Sequence, residues 1–486
     1  MLTASANFLH RVGRTQSDRD YDLTALQAAV AAGTTSPFAT IDPALLGRLR
    51  TDLSKSRSDN GNFQATASGP VFKLPTGQVR ISTRIGGRID RFSTSTRGAS
   101  FNRDDRFSRG EVGAQTNLTV PLLPWGGIDI GAVSADFTAG IRDVTASGTL
   151  ENYGVALNWD VAPGINLRAA VNDEELPTPP SLLRDPIVVT ENYRVFDFIR
   201  QETVLVRYLT GGNPGLPTER RRTTKIEGTF SPFGSLDLTF NGQYQKSLSR
   251  NSIAALPPAS VEVQSAFPER YIRDASGSLV QLDARPVSFA RDSLEYLRWG
   301  FDFRRTFGGA SSGGTEGSDE ESAPSLGAGW RIAVRADHTW YMDNTRVIRR
   351  GLPIIDLLAG GASGYGGGQP RHQVQASTAA YHRGIGLQLF ATWNSRSLIN
   401  GGSLAAPSSI VFASRSKIDV RAFANLGPLF PKIDSFKKAR LSFEVLNLLD
   451  SKQRVRDTAG STPLRYQPFL IDPVGRSVRL SLRKAF

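Results

Sequence analysis

Along much of the chain, apolar and polar residues alternate one for one. Within 294–307, Leu297, Trp299, Phe301 and Phe303 hold one parity, and Arg298, Gly300, Asp302 and Arg304 hold the other. Within 331–342, Ile332, Val334, Ala336, Trp340 and Met342 oppose Arg331, Arg335, Asp337 and Thr339. The chain closes with Val478, Leu480, Leu482 and Phe486 against Ser477, Arg479, Ser481 and Arg483, and similar runs cover 79–89, 155–161, 165–171, 236–244, 387–393 and 418–426. Successive side chains of a strand point to opposite faces, so each run predicts a β-strand with one apolar and one polar face. A soluble antiparallel sheet with one wet face would alternate too. Length separates the two cases: runs of about 10 to 15 residues exceed the usual soluble strand of about 5–6.

The connections point the same way. Short, Pro- and Gly-rich ones at 73–77, 121–126, 162–164, 231–234 and 383–384 alternate with long ones near 12–60, 174–221, 251–292, 343–370, 400–413 and 451–474. Outer-membrane barrels have short periplasmic turns and long external loops, whereas a soluble sandwich has no reason to sort loop length by side. Two connections depart from the pattern: 308–328 is long on the short side, and 144–149 is short on the long side. The pattern therefore predicts an all-β fold, an antiparallel transmembrane β-barrel of about 16 strands occupying 1–486. Helices are expected only in external loops. One runs from Asp22 as N-cap to Gly33, and another from Asp42-Pro43 through Leu45, Leu46, Leu49 and Leu53. The stretch 308–328 reads as a flexible Gly/Ser/acidic linker, and 360–368 as a second glycine-rich loop.

Composition narrows the class. Hydrophobic residues are 39% and charged residues 21%, too apolar for a disordered chain. No stretch approaches the 18 or so consecutive apolar residues of a membrane helix. The formal charge is +13, but Arg is spread along the chain, often at every second position, which argues against nucleic acid as a partner. The absence of Cys removes disulfides, thiolate metal sites and Cys nucleophiles. Residues 1–10 lack the basic and apolar regions of a signal peptide, so an outer-membrane location implies an open reading frame that starts further upstream.

Enzyme motifs are absent. Ser311 sits in Gly-Ala-Ser-Ser-Gly, the hydrolase elbow pattern, but in low-complexity sequence rather than between a strand and a helix. His10, His338, His372 and His382 have no metal-ligand spacing, and His338 shares the parity of Trp340, which suggests a lipid-facing or interfacial position. There is no Gly-Lys pair for a P-loop, and Asp104-Asp105 and Glu174-Glu175 are adjacent loop residues that do not converge as catalytic pairs. No enzyme activity, cofactor or metal is expected. The basic parity carries more: Arg80, Arg84, Arg88, Arg168, Arg304, Arg335, Arg421, Arg479 and Arg483 share a face with polar residues, which in a membrane barrel looks into the lumen. These either pair with neighbouring carboxylates or with a plug, or line a path for anionic ligands, for which Arg80, Arg84, Arg168, Arg304, Arg335 and Arg421 are the candidates.

Residues 212–219, Gly-Asn-Pro-Gly-Leu-Pro-Thr-Glu, resemble the Asn-Pro-x-Leu-x-Pro-Glu signature of TonB-dependent receptors. Asn213, Pro214, Leu216 and Glu219 match, and the second Pro falls one place early, at Pro217. The runs 443–450 and 473–476, and a last strand ending in Phe486, are similar to the same family, in which a terminal aromatic residue is the signal read by barrel-assembly machinery. The resemblance covers nearly all of the chain. It implies an outer-membrane receptor that imports a scarce ligand such as a ferric siderophore, a cobalamin-like compound or a carbohydrate. The family adds an N-terminal plug, through which the TonB system acts, and a barrel of about 22 strands. With neither plug nor full strand count, the chain resembles the C-terminal part of such a barrel, partnered by outer-membrane lipid and barrel-assembly machinery. A passive pore and a truncated remnant without transport activity are the alternatives. The strands at 3–11 and 475–486 are then expected as edges that approach and pair imperfectly.

Overall fold

The computed structural model describes residues 1–486 except 37, 39, 48, 98–101, 124–130, 146, 186, 198, 201, 235, 258–260, 309–328, 362–367, 403–406 and 485–486. Sixteen long strands form one antiparallel sheet in which each pairs with the next along the chain. They are β1 (Leu2–Tyr21), β2 (Leu49–Leu74), β3 (Gly77–Arg97), β4 (Asn102–Leu123), β5 (Ala132–Val144), β6 (Gly148–Ala162), β7 (Ile165–Leu176) and β8 (Glu219–Phe230). Then follow β9 (Asp237–Ala254), β10 (Val287–Phe307), β11 (Trp330–Val347), β12 (His372–His382), β13 (Ile385–Asn394), β14 (Arg415–Asn425), β15 (Ala439–Leu446) and β16 (Ser477–Lys484). A short strand, Ile354–Asp356, extends the sheet beside the end of β11.

The turns of one side are tight because their residues suit them. Between β12 and β13, Arg383 (φ 43°) and Gly384 (φ 89°) both take positive φ, so that His382 pairs directly with Ile385. A two-residue hairpin turn of this hand matches the twist of the strands, and Gly adopts it without strain. On the other side the connections run long: 22–48, 177–218, 255–286, 348–371, 395–414 and 447–476. Regular pairing reaches beyond the alternating runs, so β1 and β2 pair up to Tyr21 and Leu49, and the connection expected over 12–60 shortens to 22–48.

Two helix expectations need correction. The first helix spans Thr24–Ala31 with Leu23 at the N-cap; Asp22 lies one place earlier and accepts from Thr24 N at 3.0 Å and Oγ1 at 2.6 Å. The second reduces to a single 3₁₀ turn, Pro43–Leu45, capped by Asp42, and Leu49 and Leu53 belong to β2. Their helical spacing loses to cross-strand pairing, since Leu49 sits opposite Tyr21 and Leu53 opposite Gln16. Short helices do lie in the long connections, but one, Leu426–Leu429, lies on the side of the short turns between β14 and β15. The 308–328 linker, Ser311 and Phe486 fall on or extend into residues outside the described set.

Among the described residues, the apolar face of the wall is largely exposed, and buried apolar side chains on the wall strands are only scattered, such as Val79, Val144 and Leu150. Trp299 is 41% exposed, Leu480 69% and Leu482 68%, as a face that meets lipid requires. The main buried cluster instead joins the long connections: Val195, Val206, Phe267, Tyr271, Leu279 and Leu282 pack on Phe289 and Ile348 at the ends of β10 and β11. Between β1 and β16, no pairing occurs among the described residues. These two edges of the sheet, which form its seam, differ in length, 20 residues against 8.

Candidate functional site

The polar face of the wall is a network of charged and amide side chains, placed by register rather than by sequence neighbourhood. Asp136 on β5 accepts from Thr119 Oγ1 (2.8 Å), Asn158 Nδ2 (2.8 Å) and Arg168 (3.3 Å), residues of β4, β6 and β7. Arg335 on β11 meets Asp337 at 2.8 Å and Asp302 of β10 at 3.8 Å, and Arg298 meets Asp337 at 3.5 Å. Gly300 lies opposite Asp337; a side chain there would collide with the Ala336 carbonyl, so glycine lets β10 and β11 close over this cluster. Arg421 pairs with Glu444 at 2.7 Å, and Glu444 also lies 3.9 Å from Arg479.

Three of the six candidate arginines, Arg168, Arg335 and Arg421, are thus held by carboxylates, and Arg304 is engaged as well. Arg80 and Arg84 differ. Both are exposed on β3, and among the described residues neither has an ion-pair partner. Their cross-strand neighbours are neutral: Pro70 and Thr119 beside Arg80, Thr66 and Gln115 beside Arg84. An arginine without a counter-charge keeps its five donors for an incoming anion.

The long connections fold into a cap. Strands Val188–Asp197 and Glu202–Thr210 pair with each other, and Leu279–Asp283 runs parallel to the second. Arg273 grips the fully buried Asp197 with two bonds of 2.6 and 2.8 Å, and Arg346 grips Asp292 with two of 2.7 and 2.8 Å. The Arg273 guanidinium holds the Asp197 carboxyl below its ordinary value against the opposing pull of burial. Burial pushes the Tyr271 hydroxyl up to about 12, and that hydroxyl has no hydrogen-bond partner among the described residues.

Asn213 clips the cap together. Its amide donates to Pro286 O at 2.9 Å, its Oδ1 accepts from Gly215 N at 3.1 Å, and its backbone N–H reaches Leu182 O at 2.7 Å. Pro214 is exposed, Leu216 half-buried, and Glu219 pairs with Arg221 two residues on at 2.8 Å. Beside the clip opens a cleft of about 470 Å³, where Leu216 and Pro217 face Glu269, Arg270, Arg349 and Arg350. Nothing in the sequence marks this meeting, because Arg349 pairs with Glu269 from a connection 80 residues away.

Sequence parity places His338 with Trp340 on the apolar face, but not the ring stacking that joins them into a belt of tryptophan and histidine. Trp299 packs edge-on against His338 (4.3 Å between ring centres), and His338 stacks on His372, with Nε2 and Nδ1 3.2 Å apart. His372 in turn stacks on Trp340. At the other end of the same strands, Trp330 stacks flat on His382 at 4.6 Å. Aromatic girdles at both margins of an apolar band mark membrane interfaces.

No protein-family model matches the chain, and no curated protein matches it. Solved structures do. The RagAB peptide importer in its closed-closed state superposes with a TM-score of 0.54 at 12% identity, over 96% of this chain and 57% of that one. The outer-membrane transporter YddB from Escherichia coli gives 0.54 at 12% identity, over 93% of this chain and 57% of that one. A mutant form of the ferric enterobactin receptor PfeA from Pseudomonas aeruginosa gives 0.48 at 12% identity, over 98% of this chain and 67% of that one. With one antiparallel wall of this extent, connections sorted in length by side and a folded cap formed by the long ones, the chain shares the barrel-wall fold of the outer-membrane transporters RagAB and YddB.

Proposed function

We propose that the chain forms the wall and outer cap of a receptor in the bacterial outer membrane that takes up a scarce ligand. The observation that carries this reading is the pair of free cations, Arg80 and Arg84, on a polar wall face where other arginines are neutralised. They offer an anionic ligand its counter-charge behind the cap, whose cleft adds Arg350 beside the ion-paired Arg270 and Arg349. Ferric siderophores, acidic peptides and phosphorylated or carboxylated nutrients share that chemistry, and a peptide importer is among the similar structures. Energy coupling would come from a plug that engages the TonB system, and insertion from barrel-assembly machinery acting on Phe486. Transport rather than catalysis fits the chain, whose similar structures are transporters and receptors.

A passive pore is the second reading, favoured by the continuous polar face from β4 to β11. The chain reconstituted in liposomes separates the two. Saturable binding of a labelled ferric siderophore or peptide, without swelling in small sugars, supports the receptor. Steady swelling supports the pore, and the lack of either signal refutes both.

A further inference from the structure

We infer that the outward face of β1–β4 carries a docking surface for the phosphate groups of outer-leaflet lipids. On β3 the apolar parity runs Val79, Ile81, Ile85, Ile89, which covers about 25 Å of height for a tilted strand. Register places Phe8, Gly61 and Gly110 beside Ile89, so the apolar band ends on one row across four strands. On the same face, the next rows up turn basic. Arg91 comes first, then Arg57 and Arg106, then Arg14 and Lys55. All five are exposed.

Among the residues whose side chains are described, two carboxylates share this face. Asp59 is already taken by His10 and by Arg57 at 3.1 Å, and Asp104 stands at the upper edge opposite Ser95. Among the described residues, Arg14, Lys55, Arg91 and Arg106 have no ion-pair partner. At the same height on the opposite face most cations are matched: Arg88 meets Asp90 at 2.8 Å and Arg109 meets Glu111 at 3.9 Å, and Arg11 stands without an ion pair among the described residues. Four unpaired cations thus stand on the face that continues the lipid-facing band, at the depth of headgroups, against one, Arg11, on the other. Only a phosphorylated amphiphile places its chains on the band and its anions on these rows at once, and arginine suits phosphate as a bidentate donor.

The surface rests on the outer-membrane reading of the wall but not on any transported ligand. The test refolds the full chain in detergent micelles and measures the phosphorus that co-elutes after incubation with diphosphorylated lipid A or its dephosphorylated form. Wild type is expected to retain the phosphorylated lipid and not the other. R57S/R91S/R106S is expected to retain at least about tenfold less, while R88S/R109S, at the same height on the other face, retains as much as wild type. Should the serine triple lose its β-sheet circular dichroism, wild type in about 0.5 M NaCl is expected to release the lipid, since exposed charges are screened there. Equal retention by the triple, retention of the dephosphorylated form, indifference to salt, or displacement by equimolar inorganic phosphate each overturns the inference and leaves the uptake reading intact.

Discussion

Trp330 and Trp340 stand on the same face of β11, ten residues apart, and each is stacked on a histidine of β12, His382 and His372. Ten residues of strand measure about 33 Å, and a tilt of about 40° reduces this to a height of about 25 Å, the thickness of a barrel's apolar band. Val334 lies between them on that face. Val334→Arg is expected to cost about 2–4 kcal/mol, the penalty of a mid-band cation, whereas Ser377→Arg on the polar face costs under about 1 kcal/mol. Denaturant unfolding of both variants in phospholipid vesicles measures the difference.

Arg80 and Arg84 are expected to set charge preference along the wall. R80A/R84A should lower the binding of an anionic ligand, or the anion-to-cation permeability ratio of an open pore, several-fold. Arg421→Ala, which removes a cation already matched by Glu444, should change either quantity far less. Planar-bilayer reversal potentials or ligand titration decide it.

Asn213→Ala removes the donor that holds Pro286 O and the acceptor of Gly215 N. A loss of about 1–2 kcal/mol in local stability is expected. Amide exchange across 177–218 and 279–286 should quicken while the wall strands stay protected. Uniform loss of protection would show that the clip supports the wall rather than the cap.

Asp197 has a folded value below its ordinary 3.8, so its ion pair with Arg273 stabilises the cap fully above that value. The contribution fades as the pH falls through 3.8 towards the lowered value, where the folded cap must take up a proton it resists. Limited proteolysis of the 188–283 region is expected to accelerate below about pH 4. Asp197→Asn should digest faster at pH 7 and show a flatter acid dependence.

The seam predicts behaviour in lipid. The outer edge of β1 leaves its N–H and C=O groups without strand partners among the described residues, and each such group costs several kcal/mol in hydrocarbon. Expressed alone, the chain is expected to form edge-to-edge cross-linked multimers and to lack the heat-modifiable monomer band of a closed barrel. A clean shift of the monomer on gels would show that β1 and β16 pair.

Most of the wall was legible because its alternation is long: at 297–303 and 332–340 no helical reading competes, and run length sets aside the soluble sheet. Alternation fails above the membrane, where β2 reads Thr51 to Ser58 with polar residues on both faces, so a chance helical spacing of Leu49 and Leu53 misled. The candidate site was legible only as a parity. Whether an arginine is matched depends on register, which sets Asp302 opposite Arg335 but sets Thr66 and Gln115 beside Arg84. Asn213 carries a recognisable signature, yet its partner Pro286 is 73 residues on and invisible to any local pattern.

The two ends of the wall are also unequal in height. β2, β3 and β4 have 26, 21 and 22 residues, while β12 to β16 have 11, 10, 11, 8 and 8. The short group barely crosses a bilayer, and the tall group overshoots it by about 30–40 Å. The rim is therefore a ramp rather than a ring: a molecule arriving over β12–β16 clears the parapet at the membrane surface and meets the far palisade, with its arginine rows, as a backstop.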